Sequence, residues 1–194
     1  MGYKKYFIYT LLFLLSLAVL SGCIFPTSTS STKGRYNASD CKKVPFRPDR
    51  AADKVVVKQS AHKLYVYQKG KIIKTMPVSL GKNTMRNGPK VKQGDYCTPV
   101  GRYTIVDKRC HYLKYRAMTI SYPNTQDLQR AKKLGVKPGS YITFHGQPYW
   151  NKDGHGDSYT LRHDWTNGCI ALTNSDLDWL WSSVKVGTVI EINR

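Results

Sequence analysis

Three short runs of β-branched and aromatic residues, Val55-Val56-Val57, Leu64-Tyr65-Val66-Tyr67 and Ile72 to Leu80, follow one another with only polar turns between them. Nothing between them is long enough to form a crossover helix, so the natural pairing is by hairpins, antiparallel. The turn "QKGK" carries Gly70, the residue a tight hairpin uses for its left-handed backbone. This pattern argues against a regular βαβ alternation and directs the chain to a mainly β fold.

The remainder keeps to that pattern. "GRYTIVDK", "RAMTISYP", "SYITFHG", "CIALT" and "GTVIEI" read as further strands, and "TMRNGPKVKQGDYCTPVG" as a loop rich in Gly, Pro and polar residues. Two segments switch to helical spacing. "NTQDLQRAKKLG" has Asn124 as a cap, Leu128, Ala131 and Leu134 on one face, and Gly135 as a stop. "NSDLDWLWSSV" starts with Asn174 as a cap and puts Leu177, Leu180 and Trp181 on one stripe. The expectation is a single domain over residues 53–194, mainly β with two short helices.

The N-terminus has a different character. "MGYKKYFIYTLLFLLSLAVLSGC" runs from a basic start through an apolar stretch to small residues before Cys23, the plan of an export signal. Its ending resembles a bacterial lipoprotein signal, which implies removal of residues 1–22 and a lipid on Cys23. Residues 23–52 are rich in Ser, Thr, Pro and Lys without apolar periodicity, and read as a flexible tether. The expected location is the cell envelope, with a membrane-anchored lipoprotein facing the periplasm or the wall. Outside the cytoplasm paired cysteines oxidise. Cys97 and Cys110 bracket "GRYTIV" and could bridge its ends, with Cys41 free or an alternative partner.

Charge narrows the partner class only partly. There are 31 Lys and Arg against 12 Asp and Glu, a formal charge of +19, so the surface concentrates anions: nucleic acid, acidic lipid or an anionic wall polymer. The export signal argues against nucleic acid.

The last fifty or so residues gather His145, His155, His163, Asp153, Asp157, Asp164 and Cys169. Three readings stand. A cysteine works as a nucleophile when an imidazole takes its proton. His145 ends one strand and Cys169 begins another, and Gly168 allows a tight turn with amide N–H groups beside the sulfur, as an oxyanion needs. His163, a few residues before the thiol, is a second possible partner. Alternatively, His145, His155, His163 and Cys169 are residue types that suit zinc, although no pair has the short spacing of a ligand pair. The third reading is a small buried cysteine among ordinary histidines.

The ordered pieces "VVVKQSAHKLYVYQKGKIIKTMPVSLG", "GDYCTPVGRYTI", "ISYP", "ITFHG" and "DWTNGCIALTNSDLDWL" resemble the L,D-transpeptidase catalytic domain of bacterial wall enzymes, from about Val55 to Ile192. The resemblance implies an L,D-transpeptidase-like β-sandwich with a Cys/His acyl-transfer site. On matching positions Cys169 is the nucleophile, His145 the general acid and base, and the amides of Gly168 and Cys169 the oxyanion hole. Asn167, Asp164 and His163 are candidates for support. Peptidoglycan stem peptides are the implied substrates, with no metal or organic cofactor and a monomeric enzyme.

The motif also departs from the common pattern. Ala171 stands where many members have an arginine, and the loop from His145 to Cys169 is longer than usual. These features are shared with a subset reading D-W-T-x-G-C-I-A, some of whose members hydrolyse wall-linked peptides. An L,D-peptidase or amidase is therefore the alternative to cross-linking, and a non-catalytic wall-binding lipoprotein is a third.

Overall fold

The computed structural model describes residues 34–37, 39–41 and 43–194. The signal-peptide and Cys23 lipidation readings lie outside the described residues. Among those described, no helix is long and apolar enough to cross a membrane.

Eight strands form one sheet: β1 (Lys54–Lys58), β2 (Lys63–Gln68), β3 (Lys71–Pro77), β4 (Gly101–His111), β5 (Tyr115–Ile120), β6 (Thr143–His145), β7 (Ile170–Ala171) and β8 (Val189–Asn193). Their order across the sheet is β3-β2-β1-β8-β4-β5-β6-β7. The first three strands are antiparallel neighbours, as their spacing predicts. Lys69 and Gly70 both take positive φ in the two-residue turn that joins β2 to β3. β4 is the hinge of the sheet: Gly101–Thr104 pair with β8, while Ile105–His111 pair with β5 across a bulge. A bulge bends a strand and increases its twist, so the sheet turns back over itself there. Beyond β3 the chain bridges β7 through Ser79 and Ala171, so the two ends of the sheet order meet.

This closure explains the core. Val55, Val57, Leu64 and Val66 from one half meet Met118, Phe144, Ile170 and Leu172 from the other in a single buried cluster. β1 is buried at all three valines because neighbours cover both of its faces.

Among the described residues four α-helices accompany the sheet. Single turns α1 (Thr84–Asn87) and α3 (Asp157–Thr160) lie in segments that lack helical periodicity, whereas α2 (Thr125–Lys133) and α4 (Asn174–Ser183) are the two expected. Asn124 caps α2 in a reciprocal box with Asp127. The buried side of α2 nevertheless differs from the expected leucine face. Asp127 and Ala131 point inward, while Leu128 and Leu134 are 52% and 57% exposed. The Asp127 carboxylate is satisfied there by the Tyr103 hydroxyl at 2.9 Å and the Asn124 amide at 3.1 Å. The cap of α4 is Thr173, whose hydroxyl accepts from Asp176 N–H at 3.1 Å. Asn174 is one residue inside and has a different role, described below.

Two observations concern the cysteine pairing that the sequence left open and the segment before β1. The disulfide joins Cys41 to Cys110, and Cys97 is a buried free thiol. Cys97 is instead folded inward in the loop before β4, near Gly81 and Gly168. The segment read as a tether is laid on the domain over its described part: Tyr36 is buried, and Arg47 N–H and Ala52 N–H donate to Ser182 O and Ser183 O at 2.7 and 2.8 Å. Apolar periodicity is missing because backbone hydrogen bonds, one disulfide and one tyrosine hold this stretch.

Candidate active site

β6 is only three residues long, but it sets the site. Alternation places Thr143 and His145 on one face and Phe144 on the core face. β7 runs parallel to it, with Phe144 opposite Ile170 and His145 opposite Ala171. Cys169, just before β7, therefore falls on the same face as His145 and one strand over. Ideal sheet spacing puts their Cα atoms roughly 8 Å apart, within reach of two side chains that lean together.

Cys169 is 9% exposed and opens onto a cleft of about 320 Å³. Ser140, Tyr141, Asn167 and Lys114 share its wall. The Thr143 hydroxyl donates to Sγ at 3.5 Å, and the thiol faces the Tyr141 carbonyl at 3.8 Å. Among the described residues these two, and no ring nitrogen, are the hydrogen-bond partners of the sulfur.

His145 is fully buried. Its Nδ1 lies 2.8 Å from Gly146 O, and since a carbonyl can only accept, Nδ1 carries the proton. Nε2 is left as the acceptor, with Lys114 Nζ at 3.4 Å. Burial, followed by the positive charge of Lys114, pushes the imidazole well below its ordinary range, so it is neutral at neutral pH. Trp165 closes one side, edge-on at 5.4 Å.

The backbone behind His145 is tightly fixed. Gly146 N–H donates to Lys114 O at 3.0 Å, and a Cβ there would meet Asn174 Oδ1 and lie 3.1 Å from Tyr115 Cβ. Asn174 Oδ1 accepts from Gln147 N–H at 2.9 Å, while its amide donates to the Tyr36 hydroxyl at 3.0 Å. That hydroxyl in turn donates to Gln147 O at 3.1 Å.

The turn into the cysteine requires glycine. Gly168 has φ +121°, and a Cβ there would lie 2.7 Å from Cys97 O. The expected pair of oxyanion donors is reduced to one, because Gly168 N–H already donates to Thr166 Oγ1 at 3.1 Å. The Thr166 hydroxyl in turn donates a hydrogen bond to Cys169 O at 2.7 Å. The turn consumes the Gly168 amide, leaving that of Cys169 as the candidate.

Of the proposed supports, Asn167 is exposed on the cleft wall. Asp164 does orient an imidazole, but that of His62, at 3.0 Å, while accepting Leu80 N–H at 2.8 Å. His163 is exposed and turned away, its Nδ1 on Tyr159 O at 2.8 Å. His155 pairs with Asp153 at 3.2 Å in an exposed loop. Among the described residues no group of three His, Cys, Asp or Glu side chains is placed to hold a metal ion. Sequence reasoning missed Lys114, Thr143 and Thr166. None has a local signal, since each reaches the site through strand pairing or a turn.

Residues 52–192 match the YkuD family, the L,D-transpeptidase catalytic domain. No curated protein matches the chain significantly. Among solved structures it is similar to the helical cell shape determining protein Pgp2 from Campylobacter jejuni, at 27% identity and a TM-score of 0.52, over 71% of this chain and 46% of that one. It is similar to Bd1075 of Bdellovibrio bacteriovorus at 24% identity and a TM-score of 0.50, over 79% and 52%. An L,D-transpeptidase from Mycobacterium smegmatis matches at 19% identity and a TM-score of 0.49, over 72% and 58%. The chain thus spans less than two thirds of the length of each of these structures.

Proposed function

Since the chain belongs to the YkuD family of L,D-transpeptidase catalytic domains, we propose that it transfers acyl groups between peptidoglycan stem peptides through a thioester on Cys169. The observation that carries this reading is the thiol at the mouth of a cleft, on the same sheet face as a neutral, tautomer-locked His145.

In the proposed reaction the Cys169 proton moves to Nε2 of His145. The thiolate attacks the carbonyl between the diamino acid and the terminal D-alanine of a stem tetrapeptide. A C–S bond forms, and the tetrahedral oxyanion is met by the Cys169 amide N–H. The C–N bond then breaks, and D-alanine leaves with the proton returned by the imidazolium. The side-chain amine of a second stem, deprotonated by the same ring, opens the thioester and forms a cross-link. Each step balances within the chain and two peptides, so no cofactor enters. The +19 charge favours an anionic wall polymer, and a lipid on Cys23 of this monomer would hold it beside that polymer at the membrane.

A second reading takes water as the acceptor, which makes the same site a peptidase. Ala171 favours it: the side chain is buried and small, where the common pattern has an arginine beside the nucleophile. Mass spectrometry of wall fragments incubated with the purified protein distinguishes these readings. Joined stems support transfer, while shortened stems alone support hydrolysis. No product, or the same product from Cys169→Ala, defeats both.

A further inference from the structure

Among the described residues, two ammonium groups and no carboxylate line the cleft in front of Cys169. They are not equivalent. Lys90 is buried and neutralised, with Asp95 at 2.8 Å. Lys114 has His145 Nε2 as its hydrogen-bond partner at 3.4 Å, and among the described residues no carboxylate pairs with it. Its backbone is held on both sides: Lys114 N–H donates to His111 O at 3.1 Å, and Gly146 N–H to Lys114 O at 3.0 Å. A half-buried cation on a fixed turn, facing a neutral ring, is a receptor short of an anion. The nucleophile shares that cleft, so the anion belongs on the ligand, close to the bond that is attacked.

We infer that Lys114 receives the free carboxylate of the residue on the leaving side of the scissile bond, so that the cleft selects stem peptides cut at their last peptide bond. This rests on Cys169 as the nucleophile. It also explains why Nε2 contacts Lys114 and not the sulfur. The ammonium donates to the lone pair that must take the thiol proton, and its charge opposes an imidazolium. A carboxylate that draws Lys114 aside frees the lone pair and removes the opposing charge. The proton then passes from Sγ to Nε2 while Lys114 keeps its own. The base becomes available when the correct terminus is bound.

The test compares a wall tetrapeptide bearing a free C-terminal carboxylate with the same peptide as its C-terminal amide. Binding is read on the Cys169→Ala protein, which cannot turn over. The acid is expected to bind at least ~10-fold more tightly than the amide, and Lys114→Gln in that background to bind both alike. In the active enzyme the kcat/KM preference for the acid falls towards one in Lys114→Gln and is partly restored in Lys114→Arg. Equal binding of acid and amide, binding of neither, or a preference that survives Lys114→Gln overturns the inference. Selective, Lys114-dependent binding without turnover by the unmodified protein keeps the carboxylate receptor and rejects the acyl-transfer reading. Unselective turnover does the reverse.

Discussion

His145 ends β6 and Cys169 immediately precedes the parallel strand β7, on the same face and offset by one alternation: His145 is opposite Ala171, two residues beyond the cysteine. That offset leaves the two side chains on one face without a hydrogen bond between them, His145 Nε2 facing Lys114 and the sulfur facing Thr143 and Tyr141. It also makes the two residues separable by mutation, because each has its own support.

Cys169→Ala should abolish product formation and covalent labelling by a carbapenem, a loss of at least ~10³-fold in turnover. The fold should persist, since among the described residues the sulfur's hydrogen-bond contacts are two long ones, to Thr143 and Tyr141. Circular dichroism and melting alongside the assay check both halves. Retained turnover removes the nucleophile assignment.

His145→Ala should cost at least ~10²-fold in rate, the usual scale for a positioned acid or base. His163→Ala should stay within about twofold, because that ring is exposed and bonded to Tyr159 O at 2.8 Å. A crippled His163→Ala beside a normal His145→Ala would reverse the roles.

The acid limb of the pH–rate profile should lie below the ordinary imidazole value of 6.5, because burial and Lys114 depress His145 in the folded state. Stability follows the same sign. Below 6.5 the unfolded chain takes up a proton at this ring and the folded chain resists it, so acidification destabilises the protein. In His145→Gln that component of the pH-dependent melting should disappear.

Gly168→Ala should cost roughly 2–3 kcal/mol, from the strained φ of +121° and a contact of 2.7 Å with Cys97 O. The same change displaces Sγ, so activity should fall along with the melting temperature. A stable, active Gly168→Ala protein would show that the turn is not rigid.

Cys110→Ser opens a bridge with a sequence separation of 69. The loss of that closure should cost about 4 kcal/mol by chain entropy, a drop of roughly 10 °C in Tm. Reduction of the unmodified protein should give a similar shift, and Cys97→Ser should not.

Legibility followed the range of the interaction. The β1–β3 meander could be read because alternation and a Gly70 turn are local, and so could α2, whose Asn124 cap lies three residues from its partner Asp127. The buried face of α2 could not. Its side is decided by Tyr103, which offers Asp127 a partner from a different strand and leaves Leu128 and Leu134 outside. Asn174 likewise looks like a cap because its type suits one, yet its amide is committed to Tyr36 and Gln147.

Residue type and near neighbours around Cys169 are enough to describe a glycine turn and a candidate thiol nucleophile, whereas His145 enters as its partner from the family resemblance and not from that local motif. Only the tertiary structure decided that the Gly168 amide is spent within the turn, that Cys110 pairs with Cys41, and that Lys114 stands against Nε2. Each of these depends on segments far apart in the chain being brought into register by the closed sheet. Strand pairing specifies them, and one-dimensional periodicity carries no record of which distant residue will arrive.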